Sequence, residues 1–422
     1  MTAAIASSAP SHLGDTAWLQ RPAPRAVFAA LAAKGFVARA VGGAVRNALI
    51  GRNVGDVDIA TPARPEEVIA AAAAAGLRSI PTGLQHGTVT VLAEGDACEV
   101  TTLREDVESY GRQAKVAFTT DWAADARRRD FTLNALYCGA DGELFDPLGG
   151  WPDLAARRVR FIGAAEERIR EDYLRILRFF RFVAEYGDGA PDAEGLAACV
   201  AQRAGLALLS AERVRWEVMR LLAAPRGPEV VRWMLDYGLI TQVLGQAPRP
   251  LLLERVAALE AALGLAADPL RRLAALTVET REDAERLRLR LRLSNEDFAL
   301  LARVEAGKAK LGAATADSAA KAVLYREGEA AYQWLLLLDW ARSGDAAEHA
   351  GWRGLWTLPA RWQPPLFNLS GNDVMALGVP PGPRVGALLG GIEEWWIAGG
   401  FAADRSELLA KLRELHAGCG DP

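Results

Sequence analysis

Residues 42–58, GGAVRNALIGRNVGDVD, decide the fold class of this 422-residue chain, because they place a glycine turn just ahead of two carboxylates. Asp56 and Asp58 flank the apolar Val57. On a strand their side chains therefore face the same side, with α-carbons roughly 6–7 Å apart. Two carboxylates that converge in this way can hold a pair of divalent metal ions roughly 3.5–4 Å apart, an arrangement that transfers phosphoryl and nucleotidyl groups.

The glycines upstream of the acids predict a phosphate-binding turn. Gly42 and Gly43 allow backbone N–H groups to come close to a triphosphate, and a helix is predicted to start at Ala44 with Arg46 in its first turn. Turn and acids together indicate a nucleotidyltransferase. The plain alternative is an ordinary turn followed by solvated acids at the start of an edge strand.

A second motif lies at residues 127–135, RRRDFTLNA. Consecutive arginines without a nearby acidic run indicate a solvated face or contact with a polyanion. Asp130 and Asn134 lie four residues apart on a predicted helix, where they share a face. Arginine binds phosphate oxygens in bidentate fashion, and Asp or Asn can accept a hydrogen bond from a ribose hydroxyl. A salt-bridged helix start explains the same residues without any ligand.

A third motif, residues 169–182 (IREDYLRILRFFRF), predicts an amphipathic helix. Its leucines and phenylalanines give one apolar flank, whereas Asp172, Arg175 and Arg178 recur every three residues along a polar stripe. An ordinary helix stitched by pairs such as Glu171–Arg175 and Asp172–Arg175 accounts for this pattern equally well.

Read together, the motifs GGAVRNALIGRNVGDVDIAT, RRDFTLNALY, FDPLGG and REDYLRILRFFRF resemble the class II tRNA nucleotidyltransferase and bacterial poly(A) polymerase family. Bacterial CCA-adding enzymes are the nearer match. The resemblance spans about residues 36–220, and LSGNDVMALGVPPGP at 369–383 resembles the tail of bacterial members. It implies a polymerase-β-like α/β nucleotidyltransferase head followed by an all-α neck, body and tail. Members of this family add C, C and A to the 3′ end of tRNA without a nucleic-acid template.

The resemblance also implies a role for each matching residue. Asp56 and Asp58 match the family's catalytic, metal-binding pair, which implies Mg²⁺ as the cofactor. The residues that match its nucleotide-binding set are Gly43, Arg46, Arg128, Asp130, Asp172, Arg175, Arg178 and Arg181. Glu99 is a candidate third carboxylate. Family members usually carry Asp where this chain has Asn47, which keeps an acceptor oxygen but loses the charge.

Asp172 and Arg175 match the pair that the family uses in place of a template base. Cytosine and adenine each present an exocyclic amino donor next to a ring-nitrogen acceptor, so an accepting Asp and a donating Arg suit both bases. Uracil and guanine carry the opposite pattern and leave both side chains unpaired, which can give about 10⁴-fold rejection. The pair therefore predicts CTP and ATP as substrates.

Composition, with 51% hydrophobic and 24% charged residues, indicates a globular protein of two to four domains. A net charge of −4 gives no whole-protein attraction to RNA, so the expected tRNA partner needs local positive surface, for which the arginine-rich span 157–181 is the candidate. The four cysteines form no CxxC pair, and no signal peptide or bilayer-spanning run is evident. We expect a cytoplasmic protein with neither a membrane nor a DNA partner; the sequence leaves its oligomeric state open.

Breakers and periodicity divide the chain into five predicted parts: a loosely held lead-in (1–24), a nucleotidyltransferase head (25–150), a helical neck with the nucleotide-selecting helix (151–225), a helical body (226–350) and a helical tail (351–422). Within the head, Thr102–Val116, with Arg104, Asp106 and Arg112, resembles the family's mobile loop, which is tied to the switch from C to A addition.

Three alternatives stay open at this point. A poly(A) polymerase would use the same chemistry on the same scaffold. A relative that adds only CC or only A would carry the same motifs. From a different class, a helical RNA-binding protein with an inactive head is possible, although the intact acids and the Asp172 and Arg175 pair argue against it.

Overall fold

The computed structural model of the protein describes residues 9–110, 113–306 and 311–418. The chain divides into two compact units, Met1–Gly245 and Gln246–Pro422. All of the site residues expected from the sequence belong to the first unit.

The first unit is built on a mixed β-sheet and a separate hairpin. The strands are β1 (Arg39–Val41), β2 (Val57–Thr61), β3 (Arg78–Gly83), β4 (Thr88–Ala93), β5 (Asp96–Thr102), β6 (Arg104–Tyr110), β7 (Gln113–Phe118), β8 (Tyr137–Cys138) and β9 (Leu144–Phe145). Their order across the sheet is β3-β4-β5-β2-β1-β8-β9, while β6 and β7 pair with each other. Only β2 and β5 run parallel among the described strands.

The central strand β2 places one acid of the first motif on the open face of the sheet. Val57 and Ile59 are buried, whereas Asp58 between them is exposed, because successive side chains of a strand alternate between the two faces. On the parallel neighbour β5, Glu99 lies in register with Asp58. The sheet therefore brings two carboxylates from distant parts of the sequence side by side.

Helices surround this sheet and continue beyond it. In the first unit they are α1 (Pro22–Ala33), α2 (Gly43–Leu49), α3 (Pro65–Ala74), α4 (Trp122–Arg127), α5 (Trp151–Ala155), α6 (Ala165–Glu171), α7 (Leu174–Tyr186), α8 (Ala193–Ala201), α9 (Ala211–Ala223), α10 (Gly227–Asp236) and α11 (Leu239–Leu244). Short 3-10 helices cover Ala17–Gln20, Leu84–His86, Thr132–Asn134 and Arg203–Leu208.

A cluster of aromatic rings joins the second motif to α7. The Phe131 ring centroid lies 4.9 Å from that of Phe161 and 5.0 Å from that of Phe182, and Phe161 stacks on Phe179 at 5.4 Å. Such pairs contribute about 0.5–1.5 kcal/mol each beyond the burial of their area. Because Phe131 directly follows Asp130, this packing fixes the Asp130 carboxylate against α7.

The single helix predicted over 169–182 is wrong, because the chain breaks at Asp172. Helix α6 ends at Glu171 and α7 begins at Leu174, while Asp172 is extended with φ −155° and ψ 107°. The Asp172 carboxylate accepts the backbone N–H of Leu174 at 3.1 Å. Asp side chains favour such turns over helix interiors because they offer the backbone an alternative hydrogen bond. Asp172 and Arg175 therefore do not share one helix.

The helix predicted around Asp130 and Asn134 is also wrong, although their contact is confirmed. Helix α4 ends at Arg127, and Asn134 closes the separate 3-10 helix. The Asn134 Nδ2 nevertheless donates to Asp130 Oδ1 at 2.9 Å. A tight turn thus brings together the two side chains that helical spacing was expected to align.

Two further expectations in the head need correction. The lead-in is not loosely held over its described part: Leu13, Trp18 and Leu19 are buried, and the Leu13 N–H donates to the Gly142 carbonyl at 2.9 Å. Burying these apolar side chains holds the segment on the head. Strands β6 and β7 form an antiparallel hairpin where a loop resembling the mobile loop was expected. Arg112 and residues 1–8 lie outside the described residues.

The second unit is helical throughout its described residues. Its helices are α12 (Pro250–Ala262), α13 (Pro269–Thr277), α14 (Arg281–Leu291), α15 (Asn295–Ala306), α16 (Asp317–Glu327), α17 (Glu329–Ser343), α18 (Ala350–Trp356), α19 (Leu358–Arg361), α20 (Gly371–Met375), α21 (Pro383–Ala398) and α22 (Arg405–Gly418). Its core includes the stacked rings of Trp340 and Trp352, with centroids 5.9 Å apart. None of the described helices combines the length and the apolar character that crossing a bilayer requires.

The expected α/β head followed by a helical remainder is confirmed. The finer division into neck, body and tail stays a prediction, since the two compact units do not separate these parts.

Candidate active site

A polar cleft of about 780 Å³ opens on the first unit. It gathers side chains from all three sequence motifs and from α9. Its lining residues are Gly42, Gly43, Ala44, Arg46, Asn47, Gly55, Asp56, Asp58, Arg129, Asp130, Asn134, Asp172, Leu174, Arg175, Arg178, Arg181, Phe182, Glu185, Tyr186, Arg213 and Arg220. Every site residue expected from the sequence lies here except Arg128 and the candidate acid Glu99.

The glycine turn forms one wall of the cleft. Gly42 has φ 73°, a left-handed conformation that glycine adopts without strain, and α2 begins at Gly43, one residue before the predicted start at Ala44. A Cβ atom on Gly42 would lie 3.7 Å from the Arg129 guanidinium. The turn thus brings bare backbone next to a cation in the cleft.

The two acids of the first motif both reach the cleft. Asp56 lies just before β2 rather than within it, and Asp58 lies on the strand. Loss of hydration inside the cleft raises the pKa of Asp58, and the negative charges of Glu99 and Asp56 raise it further, whereas Arg129 acts in the opposite direction. Carboxylates that repel one another in this way favour a bound cation.

These acids fit a divalent metal that is also bound by a substrate. In the described part of the chain, no three Asp, Glu, His or Cys side chains converge closely enough to form a complete metal cage. Mg²⁺ is commonly bound through one or two carboxylates, with water and substrate phosphates completing its ligands. The donor set of Asp56 and Asp58, with Glu99 beside it, matches that chemistry.

Neighbouring arginines of the second motif point to different places: one pairs within the protein and the next lines the cleft. Arg128 was expected in the nucleotide site, but its guanidinium pairs with the buried Asp125 at 2.8 Å and does not line the cleft. Arg129 lines it instead, pairs with Asp125 at 3.2 Å and donates to the Tyr137 hydroxyl at 3.3 Å. In the sequence, Arg129 is marked only by its position directly before Asp130. The sequence does not show whether Arg128 or Arg129 directs its side chain into the cleft.

Buried ion pairs connect Asp130 to α7 and α9. The Arg178 Nε donates to Asp130 Oδ2 at 2.8 Å, and the Arg181 Nε donates to Glu217 Oε2 at 2.5 Å. Burial alone would raise the pKa of Asp130, but Arg178 and Asn134 outweigh it and hold the pKa below its usual range. Asp130 is therefore an ionised, fully engaged carboxylate.

The two residues expected to read the base both reach the cleft, but they do not pair with each other. The Asp172 carboxylate accepts from both terminal nitrogens of Arg213, at 2.5 and 3.2 Å. Arg175 donates to Glu171 and to the Arg168 carbonyl, the latter at 2.6 Å. Each residue thus has a partner on the protein. The expected Glu171–Arg175 pair is confirmed, whereas Asp172 pairs with Arg213 rather than Arg175.

The arginine-rich span 157–181 carries less free positive charge than its count of arginines indicates. Asp153 pairs with Arg158 and Arg160, and Glu166 pairs with Arg170. The additional cleft arginines Arg213 and Arg220 come instead from α9, where no sequence motif marked them.

A mixed sheet that presents paired carboxylates beside a glycine turn and several arginines defines a nucleotidyltransferase type of site. Residues 38–160 match the family model of the poly(A) polymerase head domain. The mouse mitochondrial CCA tRNA nucleotidyltransferase 1 is 36% identical over 386 residues, which cover 89% of this chain and 86% of the mouse protein.

Bacterial relatives agree with this assignment. The CCA-adding enzyme of Geobacillus kaustophilus is 42% identical over 227 residues, 53% of this chain and 55% of that protein. The crystal structure of Bacillus stearothermophilus CCA-adding enzyme in complex with CTP is 29% identical, has a TM-score of 0.73, and covers 93% of this chain and 96% of its own. The chain belongs to the CCA tRNA nucleotidyltransferase family.

Asp125 provides a test of how the arginine run is held. Burial alone would raise its pKa, but Arg128, Arg129 and the Tyr137 hydroxyl together lower it. Its charged form therefore stabilises the fold above the ordinary Asp pKa, and this contribution is lost as the pH falls through the lowered value. We expect Asp125→Asn to reduce the free energy of unfolding by about 1.5–3 kcal/mol at pH 7.

The measurement is urea denaturation at pH 7 and at about pH 3 or below, where the difference between variant and wild type should shrink. Asp121→Asn is the matched control on the same helix, because Asp121 is exposed and caps α4, a position where Asn serves equally well. A loss for Asp125→Asn that does not vary with pH would contradict the ionic role.

Proposed function

We propose that this protein adds C, C and A to the 3′ end of tRNA, using CTP and ATP and releasing pyrophosphate, without a template. The observation that carries the proposal is that one cleft contains both the Asp56 and Asp58 pair and the Asp172 and Arg175 pair. The names of the mouse and bacterial relatives and the CTP complex of a family member support the same substrates.

The proposed cofactor is Mg²⁺, which Asp56 and Asp58 would hold and which Glu99 is placed to assist. When bound, two such ions lower the pKa of an attacking hydroxyl and stabilise the negative charge that builds up on the departing phosphates.

The wall formed by the glycine turn would bind the triphosphate. In the reaction, the 3′-hydroxyl oxygen of the tRNA bonds to the α-phosphorus, the bond from that phosphorus to the β-phosphate oxygen breaks, and the hydroxyl proton passes to solvent. Arg46 and the backbone of the turn at Gly43 would hold the β- and γ-phosphates and neutralise the leaving pyrophosphate. Arg129, whose guanidinium is close to this turn and whose charge acts on Asp58, would contact the same phosphates.

Base selection would require Asp172 and Arg175 to exchange partners. Asp172 must share an oxygen with the amino group of cytosine or adenine instead of giving both to Arg213. Arg175 must turn a donor from Glu171 toward the ring nitrogen. Uracil or guanine would offer neither group the correct partner, so the existing protein pairs would be retained. Arg178 and Arg181, already anchored by Asp130 and Glu217, would form the wall beside the base.

The family assignment favours full CCA addition. Poly(A) addition, CC-only addition and A-only addition would use the same cleft. The compartment we propose is the cytoplasm, although the mouse relative is mitochondrial by name.

The experiment that tests the function uses three tRNAs that end at the discriminator base, at C and at CC. Each is incubated with CTP, ATP, UTP or GTP singly and with CTP plus ATP in Mg²⁺. Extension of all three to CCA followed by arrest is the expected result. Arrest at CC, extension only from CC, or a long run of A identifies one of the relatives, and no addition by folded protein overturns the proposal.

Asp58→Asn should separate activity from stability. The substitution removes a metal ligand and should lower nucleotide incorporation by at least about 100-fold. Because the pKa of Asp58 is raised, the folded state is destabilised by its charge above that pKa. Thermal unfolding in EDTA at pH 7 should therefore occur at a slightly higher temperature in the variant, and this gain should disappear at low pH.

Added Mg²⁺ should raise the unfolding temperature of the wild type and not that of the Asp58 variant. Asp236→Asn, at an exposed carboxylate on α10, is the control and should change neither measurement. Unchanged incorporation by Asp58→Asn, or a lower unfolding temperature in EDTA, would show that Asp58 has another role.

Arg175→Ala should relax base selection before it affects folding. Losing the donor to the ring nitrogen should reduce the preference for CTP over UTP, and for ATP over GTP, by about 100-fold. The ratios of kcat/KM for the four nucleotides measure this change, with circular dichroism as the check on folding. Arg170→Ala is the matched control, because Arg170 is exposed and pairs with Glu166 at the surface. An unchanged preference in Arg175→Ala would refute the selecting role.

A further inference from the structure

Arg46 is a buried cation whose hydrogen-bond acceptors, among the described residues, are all neutral. Its guanidinium donates to Asn134 Oδ1 at 2.5 Å, to Asn47 Oδ1 at 3.2 and 3.3 Å, and to the Tyr186 hydroxyl at 2.6 Å. Only 6% of the residue is exposed. Uncharged groups therefore set its direction, and no carboxylate of the described residues accepts a hydrogen bond from it.

Tyr186, the last residue of α7, is the most extensive of these contacts. The Arg46 guanidinium carbon lies 3.8 Å from the Tyr186 ring centroid, and that of Arg52 lies 5.0 Å away. The Tyr186 hydroxyl accepts from Arg46 and donates to Glu185 Oε1 at 2.8 Å. Arg52 also donates to the Glu185 carbonyl at 2.8 Å. Two cations near the glycine turn thus rest on the end of the helix that carries Arg175.

The same hydroxyl closes a ring of polar contacts around the cleft. In order, the ring passes through Tyr186, Glu185, Arg181, Glu217, Arg178, Asp130, Asn134 and Arg46. Its longest link is the 3.7 Å approach of Arg178 to Glu217. Three arginines balance three carboxylates in this ring, while Tyr186 and Asn134 are its neutral links. The ring joins the triphosphate wall to the side chains beside the base.

We propose that Tyr186 is a positioning residue that orients Arg46 toward the triphosphate and connects it to the base-facing end of the cleft. The inference rests on the proposed function. Without the Tyr186 hydroxyl, the Arg46 guanidinium loses its shortest contact to α7 and can rotate. The triphosphate must then fix the direction of Arg46 when it binds. The base-reading atoms of Asp172 and Arg175 are unaffected by this loss.

The test compares Tyr186→Phe, which keeps the ring, with Tyr186→Leu, which removes it. Tyr186→Phe should raise KM for CTP and ATP by the same factor, about three- to tenfold for one hydrogen bond, with kcat changed less than about twofold. The affinity for inorganic tripolyphosphate, measured by calorimetry, should fall by the same factor. The CTP/UTP ratio should not change. Tyr186→Leu should show a larger loss, which the Phe variant partly rescues.

Tyr332→Phe is the matched control, because it removes another buried tyrosine hydroxyl, bonded to the Leu355 carbonyl at 3.0 Å, in the second unit. It should leave KM and tripolyphosphate affinity unchanged. Wild-type KM and tripolyphosphate affinity in Tyr186→Phe would overturn the inference, as would an altered CTP/UTP ratio at constant KM. If the wild type failed to extend tRNA, the proposed function would fail, while the tripolyphosphate comparison would still decide the role of Tyr186.

A second and independent observation lies on α9. Arg213 and Arg220 line the cleft, and Trp216 between them is 64% exposed. Helical spacing places the three side chains within an arc of about 60°. The Arg220 guanidinium carbon lies 5.9 Å from the Trp216 ring, and its pairing with Glu185 is long, at 3.9 Å. An open aromatic face, with a cation at its edge, therefore lies on the helix that lines the cleft.

We infer that Trp216 is a stacking surface for an unpaired base at the 3′ end of the tRNA. Every base presents a π-face, so an aromatic side chain binds single-stranded RNA without regard to sequence, and arginine beside it contacts the phosphates. The single-stranded end must enter the cleft to reach Asp56 and Asp58, and α9 forms the rim beside that path. This inference also rests on the proposed function.

Trp216→Ala should weaken tRNA binding about tenfold, with KM for CTP unchanged, and Trp216→Phe should restore much of the loss. Fluorescence anisotropy with labelled tRNA measures binding without catalysis, so it separates this inference from the proposed function. Tyr237→Ala, at another exposed aromatic residue of the first unit, is the control and should bind normally. Wild-type affinity in Trp216→Ala, or no restoration by Phe, would overturn the inference.

Discussion

The contact between Asp130 and Arg178 is the interaction on which the arrangement of the cleft depends. It joins the second sequence motif to α7 across 48 positions of the chain, and both side chains face the same cleft. The rings of Phe131 and Phe182 pack against each other beside it, so apolar burial supplies the stability while the ion pair sets the direction of the side chains. Moving either partner would shift the turn, the acids and the residues proposed to read the base relative to one another.

Burying so many charges is costly, and the ring around the cleft shows how this chain limits the cost. Desolvation of two ions commonly exceeds their attraction unless further hydrogen bonds satisfy the remaining atoms. Asp130 meets this condition with Asn134 and the Phe131 N–H on one oxygen and Arg178 on the other. An apolar wall of equal volume would be at least as stable, but it could not hold polar groups ready for a nucleotide. The charges are therefore better explained by positioning than by stability.

Sequence reasoning predicted the local chemistry well and the long-range partners poorly. The acids, the glycine turn and the helical remainder follow from local spacing and periodicity. The break at Asp172 was missed because its apolar neighbours keep a helical pattern, while the Asp side chain accepts the N–H of Leu174, the first residue of the next helix. Arg213 and Tyr186 were missed because they lie 41 and 140 positions from the residues they contact, in helices whose own periodicity explains them as ordinary surface or core. Whether Arg128 or Arg129 faces the cleft depends on the direction of the backbone, and a run of three arginines gives no information about that direction.

Asn47 shows how a departure from the family pattern can be understood once the partners are known. The amide oxygen keeps the contact with Arg46, at 3.2 and 3.3 Å, so the geometry expected of an acid at this position is retained as a hydrogen bond. The negative charge is not. Burial lowers the pKa of Arg46, and the hydrogen-bond link from Arg46 to the carboxylate of Glu185 runs through the Tyr186 hydroxyl. A cation held by neutral groups is more favourably neutralised by a bound triphosphate than one already paired with an aspartate. In the proposed site, the loss of one charge at Asn47 thus makes Arg46 depend on Tyr186 for its direction and on the substrate for its counter-charge.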